Sequence, residues 1–273
     1  IAGSAPNVAI GLARMRRKAA VYSVMGSDIT HSEAIEFLKR NRVETKLIKS
    51  KKGAKSSFSA VLNFQGESTQ LVAHCDIEFS LPKTTPKTAW VHVSELGHGY
   101  QKMFRQLTQY AKQGVKISFN PGAVQIEAGK KALFDLIKRT DILFVNRLEA
   151  GQLAKSSEKA KIETLLTGLR KLGANTVVIT DGRDGAYSFN GEQMVHAPMF
   201  PGERVEATGA GDAFTTGYLG AILAGKNQDD ALKWGSVNAA EVVQHIGPTE
   251  GLLTQAKIKG FLKNNPGYDI KVI

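Results

Sequence analysis

Between residues 89 and 180 the chain repeats one pattern, a short, mainly apolar run followed by a segment of helical periodicity. The apolar runs fall at 89–93, 115–119, 141–145 and 176–180, and the helical patterns between them at 101–113, 126–138 and 162–172. A strand that is apolar at every position is buried on both faces, which is the condition of parallel strands covered by helices. Repeated strand–helix units of this kind close as an α/β fold with a doubly wound, mostly parallel sheet flanked by helices. Ligands of such sheets lie beyond the carboxyl ends of the strands. The loops to read are therefore Asn120-Pro-Gly, Asn146-Arg-Leu-Glu149 and Asp181-Gly-Arg-Asp-Gly185, which follow three of the runs.

The flanks are read in the same way. Residues 19–25 form a strand and 32–41 a helix with Thr30 as its N-cap. Segments 58–64 and 69–73 alternate around Gln65-Gly66 as a β-hairpin, and 186–189 with 193–197 form a second one turning at Asn190-Gly191. Helical patterns at 213–224, 229–245 and 254–263 complete the chain, and a single domain is expected over 1–273. With 42% hydrophobic and 22% charged residues, the composition excludes disordered and collagen-like chains. Cys75 is the only cysteine, which rules out an intrachain disulfide and a cysteine-based zinc cluster and fits a reducing, cytoplasmic setting. The longest uncharged apolar stretch, 213–225, is too short to span a bilayer. The net charge of +11 suits either a nucleic-acid binder or an enzyme of phosphorylated anions. Its densest runs, at 14–18 and 49–55, carry no interleaved aromatics, so the surplus is read as solvated surface rather than a nucleic-acid site.

The strongest chemical signal is Ala207-Thr-Gly-Ala-Gly-Asp-Ala-Phe214, which runs directly into a helical stretch. Glycines and small residues let backbone N–H groups converge at a helix start, where an oxyanion or phosphoryl oxygens are held and the helix dipole adds attraction. Asp212 stands at the mouth of that turn, placed to take a proton from a hydroxyl, or simply to cap the helix. Two other phosphate motifs are excluded. A dinucleotide fingerprint needs a third small residue where Phe214 stands, and the best P-loop match, 220–227, ends in Lys226-Asn227 and lacks the hydroxyl. The histidines offer no metal constellation.

The octapeptide resembles the C-terminal signature of the ribokinase-like (PfkB) family of carbohydrate and nucleoside kinases. Three further motifs agree with it in order: Ala2-Gly-Ser-Ala-Pro-Asn7 resembles the N-terminal Gly-Gly…Asn turn, Asn146-Arg-Leu-Glu149 the Asn-x-x-Glu motif, and Thr180-Asp-Gly182-x-x-Gly185 the nucleotide loop. The resemblance implies an ATP- and Mg²⁺-dependent phosphotransferase acting on a hydroxymethyl group of a sugar or related polyol. In it Asp212 is the base, and Gly209, Ala210 and Gly211 are an anion hole for the transferring group. It also implies that Gly3, Asn7 and Asn120 contact the acceptor, that Asn146, Thr180, Gly182, Gly185 and Asn238 serve the nucleotide, and that Glu149 serves the metal. Asn146 and Glu149 would equally serve as a helix cap, and Thr180 to Gly185 as a plain turn. The hairpin, over 56–75, resembles part of a β lid that closes on substrate and through which two copies can pair.

The sequence departs from the family at three points. Family members begin with a strand bearing a substrate-binding Asp, and nothing equivalent precedes Ile1, so a central strand and part of the lid are expected to be missing. Ala2 replaces the first Gly of the turn, and Glu206 stands near a monovalent-cation position, which leaves K⁺ dependence open. Two other readings stay open beside the sugar kinase: a nucleoside kinase of the same family, and a binding protein that keeps the fold without catalysis.

Overall fold

Apolar runs that are buried on both faces must pair with one another, and they do so in the computed structural model, which describes residues 3–64, 67–75, 77–82 and 86–273. Ala2 and the hairpin turn Gln65-Gly66 lie outside the described residues. In chain order the elements are α1 (Ser4–Arg14), β1 (Ser23–Gly26), α2 (Ile29–Arg40), β2 (Ile48–Lys51), β3 (Phe58–Phe64), β4 (Glu67–Ala73), β5 (Trp90–Val93) and α3 (Gln101–Lys112). Then follow β6 (Lys116–Phe119), α4 (Ala123–Ala128), α5 (Lys131–Ile137), β7 (Ile142–Asn146), α6 (Arg147–Ala154), α7 (Ile162–Lys171), β8 (Thr176–Thr180), β9 (Ala186–Phe189) and β10 (Met194–Ala197). The chain closes with α8 (Ala210–Leu223), α9 (Gln228–Val242), α10 (Gln255–Asn264) and β11 (Lys271–Val272). Among the described residues no helix is long and apolar enough to cross a membrane. The chain packs as two compact units, Ile1–Cys75 with Ala197–Ile270, and Asp76–His196 with Lys271–Ile273.

The second unit holds a seven-stranded sheet in the order β11-β10-β9-β8-β7-β6-β5. Strands β5 to β8 are parallel, and β9 is antiparallel to β8. Ile117, Phe119, Leu143, Val177, Val178 and Ile179 are essentially without exposed surface, as continuous apolar runs require. Helices cover the sheet: Phe104 of α3 meets Phe119 edge-on at 5.2 Å, and Leu133, Leu136 and Ile137 of α5 are wholly buried. Each such side chain contributes about 1.5–3 kcal/mol. The single helix expected over 126–138 is two helices, because Gly129 adopts φ 53 and ends α4 in a left-handed cap.

In the first unit α8 is apolar all round, with every residue from Ala213 to Ala221 buried, as an internal helix must be. It runs alongside α1 in register, one turn matching one turn. A Cβ on Gly11 of α1 would lie 2.3 Å from Thr216 Cγ2, and one on Gly220 of α8 would lie 2.3 Å from Met15 Sδ. Those two missing Cβ atoms let the helices approach closely, and one turn further toward their N-termini the facing residues are Asn7 and Asp212. The strand expected at 19–25 is the shorter β1, paired in parallel with β2. Helix α2 begins earlier than expected, with Asp28 rather than Thr30 at the N-cap position. The Asp28 carboxylate accepts from Ser56 N and Ser56 Oγ, both at 2.7 Å, and these bonds lower its pKa. Ser56 immediately precedes the antiparallel hairpin of β3 and β4, paired from Phe58↔Ala73 to Phe64↔Glu67.

Candidate active site

The turn before α8 is built as its glycines suggest. Gly209 holds φ 83 at the N-cap, a conformation that L side chains avoid, and a Cβ there would also press to 2.5 Å from Pro248 Cβ. Gly211 is the opposite case: a Cβ there would meet nothing within 4 Å, so the space beside its Cα is open. The Ala210 amide donates to Ala207 O at 3.1 Å, and the Gly209 carbonyl accepts from Ala213 N at 2.8 Å. The amides of Gly209 and Gly211 have no partner among the described residues. Of the three expected anion-hole residues, two thus present unspent N–H groups at the positive end of a 14-residue helix, and Ala210 spends its own on the turn.

Asn7 faces this turn from α1. Its Nδ2 donates to Asp212 Oδ2 at 2.7 Å, the residue is only 4% exposed, and its Oδ1 is buried with no partner among the described residues. A buried carbonyl oxygen without a donor costs about 1–3 kcal/mol. Gly3 caps the same helix with φ 141, and its carbonyl accepts from Asn7 N at 2.9 Å. Thr216 Oγ1 donates to Asp212 O at 2.7 Å. Glu206 is buried and accepts from Gly247 N at 3.0 Å.

Asn238, expected beside the adenine, has no exposed surface at all. Its Nδ2 donates to Ala213 O at 2.6 Å and its Oδ1 accepts from Leu253 N at 2.9 Å, so the side chain is an internal strut tying α9 to α8 and to the segment before α10. A helical periodicity cannot distinguish such a strut from a residue on a ligand.

In the second unit the loops after β6, β7 and β8 carry the expected residues. Asn120 Nδ2 donates across to Phe144 O at 3.0 Å, which fixes the end of β6 to β7. Asn146 and Glu149 form a reciprocal capping box at the start of α6: Glu149 N donates to Asn146 Oδ1, and Asn146 N donates to Glu149 Oε2, both at 2.9 Å. Burial pushes the Glu149 carboxyl up to about 7, against the lowering effect of the Asn146 amide, and the charge of Glu95 raises it further. Thr180 ends β8, Gly182 and Gly185 take φ 53 and 89 in the turn that follows, and Asp181 N closes that turn on Gly185 O at 2.8 Å.

Sequence reading missed Glu95, although it stands just beyond β5, at the same end of the sheet as the other loops. Its side chain lies over Gly122, where a Cβ would come within 2.3 Å of Glu95 Cγ. Glu95 and Glu149 are close enough for their charges to interact, and among the described residues no group of three or more His, Cys, Asp or Glu is assembled. Such a set fits Mg²⁺, which keeps several waters and takes one or two carboxylates, and it does not fit a closed all-protein metal cage. A separate groove of 650 Å³ runs along α3 and α5, where Arg105, Lys112, Lys138 and Arg139 line it without any aromatic ring.

The pattern of the pfkB family carbohydrate kinases matches residues 1–255. The chain is similar to an uncharacterized sugar kinase of Archaeoglobus fulgidus, 29% identical over 136 residues, which is 50% of this chain and 53% of that protein. The chain thus spans about half the length of that relative. It is also similar to a nucleoside kinase of Methanothermobacter thermautotrophicus, 24% identical over 251 residues, covering 90% of this chain and 79% of the relative. Among solved structures, the fructokinase of Vibrio cholerae O395 in its fructose-, ADP- and calcium-bound form has the same fold, with a TM-score of 0.82 at 21% identity over 96% of this chain and 91% of that one.

Proposed function

This chain belongs to the pfkB family of carbohydrate kinases, and from that premise we propose that it phosphorylates a hydroxymethyl group of a sugar or related polyol with ATP. The observation that carries the reading is the Asn7–Asp212 pair, in which a carboxylate is held by one end of a buried amide whose other end is unpartnered among the described residues. Asn7 Oδ1 accepts a hydrogen bond from the acceptor, and Asp212 takes the proton of the attacking hydroxyl. The amides of Gly209 and Gly211 donate to oxygens of the transferring group, with the α8 dipole behind them. Gly3 shapes the backbone beside the acceptor, and Asn120 is assigned to the acceptor by the family resemblance alone.

Asn146 and Glu149, with Glu95, would hold Mg²⁺ largely through waters, and Thr180, Gly182 and Gly185 would receive the nucleotide. Bound Mg²⁺ supplies neutralisation of charge on the phosphate oxygens. The hairpin carries exposed Phe58, Leu62 and Leu71 on one side, an apolar face suited to covering substrate and to pairing with a second copy of the chain. The lone Cys75 suits a reducing, cytoplasmic setting.

A nucleoside acceptor is the second reading, favoured by the similarity to the Methanothermobacter nucleoside kinase, since a nucleoside also offers a hydroxymethyl group. Coupled ADP release over a panel of sugars and nucleosides separates the two. In the same assay Asp212→Asn is expected to lower kcat by about 10²–10⁴, while calorimetric ATP affinity stays within twofold. Undiminished turnover by that variant overturns the assignment of the base. Salt-sensitive nucleic-acid retention without ADP release points instead to a non-catalytic binding protein.

A further inference from the structure

Arg147 lies between the two residues of the capping box, and its guanidinium joins three segments. Nε donates to Glu158 O at 2.7 Å, Nη2 donates to Ala160 O at 2.8 Å, and Nη1 pairs with the Asp181 carboxylate. The pair is largely enclosed, with side chains 29% and 13% exposed for Arg147 and Asp181. Asp181 is also the residue that closes the turn after β8: its N donates to Gly185 O at 2.8 Å, and its O accepts from Asp184 N at 2.9 Å.

We propose that Arg147 is a positioning residue for the nucleotide, one that locks the 181–185 turn and the 158–160 segment to the start of α6 so that Thr180, Gly182 and Gly185 are presented in one fixed arrangement. The inference rests on the kinase reading above. The guanidinium reaches its three acceptors from three separate nitrogens held in one rigid plane, a spread that the single nitrogen of a lysine ammonium does not match. A surface arginine with one partner would carry no such implication, because exposed pairs contribute little. Here the two glycines of the turn leave the backbone free to relax, and the side-chain anchor on Asp181 restrains it.

The test compares wild type, Arg147→Ala, Arg147→Lys and Asp181→Asn by ATP titration calorimetry and by steady-state ADP release. Arg147→Ala is expected to weaken ATP affinity about tenfold, the equivalent of one lost charge-assisted bond, with the acceptor KM within twofold. Arg147→Lys should recover little of that loss, and Asp181→Asn should weaken ATP in the same direction by less. The double variant Arg147→Ala/Asp181→Ala should be no worse than the first single variant. Unchanged ATP affinity with only a lower Tm overturns the proposal, as does an equal rise in the acceptor KM. If Arg147→Ala fails to fold, Asp181→Asn carries the same comparison. A wild type that binds ATP but releases no ADP with any acceptor sinks the kinase reading, and the affinity series still decides the role of Arg147.

Discussion

Each of the two units holds an asparagine bonded to a carboxylate, and the two pairs arise from different causes. Asn146 and Glu149 are three residues apart and bond reciprocally, in the manner that starts any well-capped helix. Asn7 and Asp212 are 205 residues apart and meet because Gly11 and Gly220 let α1 and α8 lie close together. The local pair has a sufficient reason in helix stability. The distant pair has none, since Gly209 already forms the cap of α8 and Asn7 stands inside α1, where asparagine is a poor helix former. A buried amide with one end unpartnered weakens the fold. Residues whose local stereochemistry gives no reason for their presence are the better guide to chemistry, and a capping box is the weaker guide although it matches a family motif.

This contrast is open to direct attack, and Asn7→Ala should have the larger effect. It removes the bond to Asp212 and the unpartnered oxygen together, so stability should hold or rise while kcat/KM falls about 10–100-fold, the equivalent of one hydrogen bond to a charged group. Thermal unfolding and ADP release on the same preparation check both halves. A loss of stability with full activity would make the pair structural and reverse the comparison. Glu149→Gln comes next. Glutamine can fill the same position of a capping box, so Tm should stay within about 2 °C, less than 1 kcal/mol, while the Mg²⁺ concentration for half-maximal ADP release rises about tenfold. An unchanged Mg²⁺ requirement would reduce this pair to a cap alone.

The same contrast describes what the sequence discloses. Strand β8 matches its expected bounds, 176–180, where three β-branched apolar residues stand between two threonines, all five of them strand formers. The periodicity over 126–138 extends across Gly129 as one helix, whereas the positive φ of Gly129 ends α4. Thr30 was expected to cap α2 by residue type, but Asp28 occupies that position with its carboxylate turned to Ser56. At the site, the turn at 207–212 was legible from its glycines alone. Glu95, Arg147 and the internal role of Asn238 were not, because each is defined by a partner brought in by tertiary packing: Glu149, Asp181 and Leu253. Local pattern reports backbone geometry, and it is silent on which distant group a polar side chain will meet.

The smallest of the expected effects is the one that divides cap from site within the local pair. Asn146→Ala removes the oxygen that accepts from Glu149 N, which should cost about 1 kcal/mol of stability, the ordinary value of an N-cap. Asn146→Ser keeps an accepting oxygen at the cap and loses the amide group, so it should recover most of that stability. If the asparagine serves the nucleotide as well, ATP affinity measured by calorimetry should fall in both variants by a similar factor, about threefold to tenfold, the equivalent of one neutral hydrogen bond. If its role ends at the helix, affinity should track stability and return with serine. Serine thus tests the oxygen and the amide separately, which the alanine variant alone cannot do.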